Sequence, residues 1–90
     1  MDENQPEIVK RLRELGISVE PIHTLGKGKP DLLCGHRGKN YLLEIKNASK
    51  PKRDRELTAD EAAWHSKWAG QIAIVETAEQ AINVVIMGAK

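Results

Sequence analysis

The chain has 90 residues, of which 40% are hydrophobic and 30% charged, and its formal net charge is +1. This length predicts a single domain spanning residues 1–90, and the composition excludes a disordered chain. No apolar stretch is long enough to cross a membrane, and the acidic, polar N-terminus is not a signal peptide, so we expect no membrane partner. The one cysteine, Cys34, lies in an apolar run without metal-finger spacing, which favours a small buried residue in a reduced, cytoplasmic setting.

Positive charge is concentrated in the middle third of the chain. Residues 27–55 hold nine basic and three acidic side chains, a balance of +6, whereas residues 1–26 and 56–90 have balances of −2 and −3. An anionic polymer such as nucleic acid could bind this third, and an ordinary solvated surface is the alternative.

The first third of the chain predicts a helix, a strand and a loop. Apolar residues recur at helical spacing over residues 7–15, with Pro6 suited to the first turn and Gly16 to the stop. Apolar and polar residues alternate over residues 17–22, which predicts a half-buried strand. Glycine and proline then predict a loop over residues 25–30.

The middle third predicts a β-hairpin followed by a basic loop. Residues 31–36 and 41–46 are short apolar runs, and residues 37–40 between them have turn chemistry because Gly and Asn accept positive φ. Residues 47–56 are polar and basic, which predicts an exposed loop.

The last third predicts helix, strand and helix. Thr58 and Glu61 form a capping-box pattern that opens a helix to about Trp68, before Gly70. A buried strand follows over residues 71–76.

Thr77 suits the N-cap of a last helix carrying Ala81, Ile82, Val85 and Ile86, although the β-branched residues of 82–87 leave a strand as the alternative. The predicted order is α-β-β-β-α-β-α, an α/β fold with a mixed sheet flanked by helices.

Asp31, Glu44 and Lys46 have the chemistry that phosphodiester cleavage requires. Two carboxylates can hold a hard cation such as Mg²⁺, and a lysine beside them can orient or deprotonate water and stabilise charge at phosphorus. Strand alternation places Glu44 and Lys46 on one face, with Ile45 turned inward and its carbonyl near the site. Asp31 begins the other arm of the hairpin, so we expect it to lie near them.

These residues resemble a known nuclease motif. Pro30-Asp31 followed by Glu44-Ile45-Lys46 resembles the motif of the PD-(D/E)XK nuclease superfamily, and residues 26–33 resemble the glycine-rich approach to the aspartate in VRR-NUC-type phage nucleases. The resemblance implies a restriction-endonuclease-like fold. It also implies that Mg²⁺ or Mn²⁺ is held by Asp31, Glu44 and the Ile45 carbonyl, with Lys46 as the catalytic lysine.

Further site residues follow from the same resemblance. Glu7 matches, more loosely, an acidic residue that many members carry on the first helix near the metal, although an early glutamate also suits the helix dipole. The family's later helix often carries a glutamine facing the site. Residues 60–65 contain none, so Glu61 and His65 are the candidates for that position.

The resemblance implies a homodimer that cuts DNA at junctions, flaps or forks, in the cytoplasm of a prokaryotic or phage-infected cell. Seven residues are predicted to contact nucleic acid: Lys27, Lys29, Lys50, Lys52, Arg53, Arg55 and His65. Two other functions remain open. One is a non-catalytic nucleic-acid-binding module with this fold, and the other is a structural protein whose Glu44 and Lys46 form a surface ion pair.

Overall fold

The computed structural model describes residues 3–88. Its elements are α1 (Gln5–Glu14), β1 (Ser18–Pro21), β2 (Leu32–His36), β3 (Lys39–Ile45), α2 (Lys52–Arg55), α3 (Ala59–Lys67), β4 (Ala73–Val75) and α4 (Ala78–Met87), with one 3-10 turn at His23–Leu25. The strands form a sheet in the order β1-β2-β3-β4. β3 pairs parallel with β4, and the other two pairings are antiparallel. The predicted α/β class, with a mixed sheet flanked by helices, is therefore confirmed.

The hydrophobic core lies between one face of the sheet and helices α1 and α4. Alternate residues of the two central strands, Leu32, Cys34, Leu43 and Ile45, are at most 1% exposed. Since side chains alternate across a strand, Glu44 must project from the opposite face. None of the helices in the described part of the chain is long and apolar enough to cross a membrane.

A tight turn sets the register of the central hairpin. Arg37 and Gly38 have φ of 52° and 78°, the positive values that a two-residue type I′ turn requires. The predicted four-residue connection is therefore too long, because Lys39 already pairs with His36. The resulting register pairs Leu32 with Leu43, which places the residue before β2 opposite Glu44.

Helix ends follow the predicted signals. Pro6 lies in the first turn of α1, which begins at Gln5, two residues earlier than predicted. The capping box of α3 is present in both directions, with the Thr58 hydroxyl accepting from the Glu61 N–H and the Glu61 carboxylate accepting from the Thr58 N–H. The helix ends at Lys67, since the backbone of the next residue is extended.

Three sequence-based expectations need correction. The basic segment after β3 is not a continuous loop, because Pro51 starts the short helix α2. The strand predicted over residues 71–76 is shorter, at Ala73–Val75. The strand alternative for residues 82–87 is wrong, because Thr77 caps α4, whose apolar stripe packs into the core.

Candidate active site

The hairpin brings the three predicted catalytic residues together at the end away from its turn. Asp31 accepts a hydrogen bond through Oδ2 from the backbone N–H of Ile45, at 2.7 Å. Its carboxyl group also lies close enough to that of Glu44 to raise the pKa of Glu44. Lys46 lies close enough to Glu44 for its charge to act on that carboxyl. Side-chain alternation along β3 and the register with β2 together account for this convergence.

Asn4, which was not predicted as a site residue, fixes the end of β3. Its Nδ2 donates to the carbonyl oxygens of Lys46 and Glu76, at 3.1 and 2.8 Å. These carbonyls follow the ends of β3 and β4, so Asn4 ties the start of α1 to both strands. Asparagine directly before a helix normally indicates an N-cap, and here its side chain makes no cap hydrogen bond.

Helix α3 covers the site with two polar contacts. Glu61 Oε1 accepts from Lys46 Nζ at 2.7 Å, and His65 Nε2 lies 3.2 Å from Glu44 Oε1. Residues four apart lie on one face of a helix, and residues two apart lie on one face of a strand. An acid and an imidazole on the helix therefore meet an ammonium and a carboxyl on the strand. Glu61 and His65 were the two candidates for the glutamine position on this helix, and the structure brings both of them into the site.

One oxygen of Glu61 has two functions. The same Oε1 accepts from Lys46 Nζ and from the Thr58 backbone N–H. The capping box and the site contact are therefore not alternatives. The spacing of Thr58 and Glu61 in the sequence predicts the capping box, whereas the contact with Lys46 depends on how α3 lies on the sheet.

Burial and like charge shape the electrostatics of the site. Glu44 is 1% exposed, and burial, together with the hydrogen bond and charge of Asp31 and the charge of Glu61, raises the pKa of Glu44 from 4.5 to about 9. The charge of Lys46 lowers the pKa of Glu44, but by less than the other groups raise it. Burial also opposes ionisation of Glu61, but hydrogen bonds from Lys46 and Thr58 hold its pKa below the usual value. Burial lowers the pKa of His65, which favours the neutral imidazole.

The carboxyl pair has the donor chemistry of a magnesium site. Within residues 3–88, no group of three or more His, Cys, Asp or Glu side chains is arranged to hold a metal ion. Mg²⁺ does not need such a group, since it commonly binds one or two carboxylates and keeps several waters. Asp31 and Glu44 supply the two carboxyl groups of that smaller requirement, and the charge of Asp31 disfavours ionisation of Glu44 until a cation is present.

Two predicted ligands remain less defined. Glu7 is exposed on α1, and its side chain makes no hydrogen bond or ion pair with any other described residue. The role of Glu7 as a further metal ligand therefore stays a prediction. Ile45 has its side chain in the core, as expected, and the ligand role of its carbonyl stays a prediction.

Basic residues adjoin both ends of the site along the chain. Lys27 and Lys29 precede Asp31, and a second group follows Lys46: Lys50, Lys52, Arg53 and Arg55. Arg55 Nη1 lies 3.9 Å from Glu76 Oε2, whereas Lys52 and Arg53 are exposed on α2. His65 lies against Glu44 with its side chain 12% exposed, and its contact with nucleic acid stays a prediction.

Gly28 lets the loop before Asp31 approach the first turn of α3. Its φ is +80°, and a Cβ atom there would lie 2.2 Å from the carbonyl oxygen of Asp60. Gly26, with φ of +69°, offers a matched control, because a Cβ atom added there would have no other atom within 4 Å. We expect Gly28→Ala to lower the free energy of unfolding by about 3 kcal/mol and Gly26→Ala by about 1 kcal/mol.

Urea denaturation of both variants measures this difference. Equal losses would show that the close approach of Gly28 to α3 contributes nothing to stability.

The fold matches that of a solved structure described as "VRR_NUC domain". The TM-score is 0.64 at 19% sequence identity, and the alignment covers 94% of this chain and 97% of the other. The chain therefore has a VRR-NUC-like fold. At this identity the similarity establishes the VRR-NUC-like fold alone. No protein-family model and no curated protein matches the sequence.

Proposed function

We propose that the chain is a divalent-metal-dependent DNA endonuclease that hydrolyses phosphodiester bonds. The observation that carries this proposal is that Asp31, Glu44 and Lys46 converge on one face of the sheet. The VRR-NUC-like fold of the chain supports it. Two carboxylates and an ammonium match the needs of diester hydrolysis, in which a cation must be held and negative charge at phosphorus stabilised.

Each residue has a defined task in this proposal. Asp31 and Glu44, with the Ile45 carbonyl, would hold Mg²⁺ or Mn²⁺, which when bound supplies a Lewis acid and a water of lowered pKa. The Ile45 N–H orients the Asp31 carboxylate at 2.7 Å. Lys46 orients the attacking water and stabilises the charge that develops on the phosphate.

The proposed substrate is DNA of branched structure, such as a junction, a flap or a fork. The basic groups on either side of the site suit contacts with phosphates, which position DNA without reading its sequence. We propose that the protein acts as a homodimer, in which symmetric pairing presents two sites to opposing strands.

A non-catalytic nucleic-acid-binding module is the second candidate. The observation that favours it is burial, since Glu44 and Lys46 are only 1% and 7% exposed. Such a module would bind DNA in a salt-dependent manner, with Lys46→Ala changing the affinity little and with no cleavage.

Cleavage of defined DNA substrates tests the proposal. Purified protein is incubated with labelled duplex, flap, fork and four-way junction DNA in Mg²⁺ or Mn²⁺, with EDTA as the metal-free condition. We expect products only with metal, and faster cleavage of the branched substrates. Lys46→Ala protein purified in parallel reports any contaminating nuclease. DNA binding without cleavage in either metal would instead favour the binding module.

A further inference from the structure

Two of the three proposed catalytic side chains are almost inaccessible in this structure. Glu44 is 1% exposed and Lys46 is 7% exposed. A metal ligand must lose its protein cover before a cation and a DNA phosphate can reach it. Helix α3 contributes to this cover, because Glu61 lies on Lys46 and His65 lies on Glu44.

Helix α3 is attached less firmly than the core helices. It has no buried residue, whereas α1 and α4 each bury a stripe of residues in the core. Burial of apolar surface is the main source of stabilisation, so α3 gains little from packing. Segments with few buried apolar contacts are the ones that open locally at low free-energy cost.

The helix is built to move as a unit. Its own capping box keeps the first turn formed by hydrogen bonds within residues 58–61. The segments on either side, residues 56–58 and 68–70, have no helix or strand. Motion about these two segments would lift α3 without breaking its internal hydrogen bonds.

We propose that α3 is a lid over the catalytic site, held closed by Glu61 on Lys46 and by His65 on Glu44. The lid opens when Glu44 and Lys46 replace these two contacts with contacts to ligands. Glu44 turns from His65 to the divalent cation, and Lys46 turns from Glu61 to the DNA phosphate. The identity of these ligands rests on the proposed function, whereas the closed state rests on the contacts alone.

The tryptophans provide a direct probe of the lid. Trp64 and Trp68 are the two tryptophans of the chain, and they stack on each other at a ring distance of 4.7 Å. Trp64 is partly buried, so lifting α3 exposes it to a collisional quencher such as acrylamide. Trp64 lies on α3 and Trp68 directly follows it, so tryptophan fluorescence reports on α3 and the segment after it.

The first experiment uses metal-free protein and does not depend on cleavage. Glu61→Gln preserves the capping box, because glutamine also serves at that position, but removes the charge that holds Lys46. We expect Glu61→Gln and His65→Ala to raise the acrylamide quenching constant about twofold as the open population grows. Glu79→Gln removes the exposed ion pair with Arg11, on other helices, and should leave quenching unchanged. Circular dichroism checks that each variant is folded.

The second experiment adds ligands to the wild-type protein. Ca²⁺ and uncleaved duplex DNA together should raise the quenching constant towards that of Glu61→Gln. Unchanged quenching in both Glu61→Gln and His65→Ala would overturn the lid. So would unchanged wild-type quenching when calorimetry shows that Ca²⁺ binds. If no divalent ion binds and no DNA is cleaved, the proposed function fails, and the metal-free variants still decide whether α3 is a lid.

Discussion

Replacing Lys46 with alanine should lower the rate of DNA cleavage by about a thousandfold, a typical effect of losing a group that transfers protons or stabilises charge in the transition state. The affinity of the variant for DNA should change much less, because the exposed basic residues around the site contribute most of the attraction to phosphates. A large loss in rate with a small loss in binding identifies a group that acts in the transition state.

The environment of Lys46 explains why arginine should not replace it. The ammonium lies 2.7 Å from Glu61 beneath α3, with its side chain 9% exposed. A guanidinium is larger and planar and donates in a fixed fork, so it does not fit a space shaped for a compact charge. We therefore expect Lys46→Arg to remain strongly impaired although its charge is conserved.

Single-turnover cleavage and equilibrium binding in Ca²⁺ measure the two effects separately. Lys39→Ala is the matched control, since Lys39 is an exposed lysine at the other end of the same strand. Its cleavage rate should stay within about twofold of wild type, as expected for one surface charge. Lys46→Ala protein that cleaves at the wild-type rate would exclude the catalytic role of this lysine.

The sequence predicts the strand side of the site well. The alternation of side chains is a property of extended backbone, so the shared face of Glu44 and Lys46 follows from spacing alone. The tight turn at Arg37 and Gly38 then fixes the register that brings Asp31 to them. Both steps depend on local rules. The structure agrees with the first, whereas it shortens the predicted four-residue connection to the two-residue turn that sets the register.

The helix side of the site could not be predicted in the same way. Apolar periodicity indicates which face of a helix packs on a core, and α3 has too few apolar residues to indicate one. The roles of Glu61 and His65 depend on where α3 lies on the sheet. Asn4 was missed for a similar reason, because its partners are backbone carbonyls 42 and 72 residues away.

The second large effect concerns Glu44 and pH. The metal-free protein should lose stability as the pH rises from about 5 to about 9, and Glu44→Gln should abolish most of this loss. The pKa of Glu44 is raised from 4.5 to about 9, first by burial and then by Asp31. Between these values the folded protein holds a proton that the unfolded chain has released. Stability therefore falls with rising pH, and the contribution of Glu44 is complete only below about pH 4.5.

Glutamine imitates the protonated carboxyl group. Its amide is neutral and nearly isosteric, and it can still donate to Asp31. At pH 9 we expect Glu44→Gln to be more stable than the wild type by about 2 kcal/mol or more, since each unit of pKa difference corresponds to about 1.4 kcal/mol. Urea denaturation at a series of pH values measures this difference.

Divalent metal should remove the difference between the two proteins. A cation held by Asp31 and Glu44 would displace the proton of Glu44. Mg²⁺ or Mn²⁺ should therefore stabilise the wild type most at high pH, where fewer Glu44 side chains carry a proton. Glu44→Gln has lost a ligand and should gain little from either metal.

Glu79→Gln, at an exposed carboxylate whose pKa is lowered by its own backbone hydrogen bond and by Arg11, should retain the wild-type pH dependence above pH 5. If the stability of the wild type did not change between pH 5 and pH 9, Glu44 would be ionised in the metal-free protein. A cation would then have no proton to displace from the carboxyl pair.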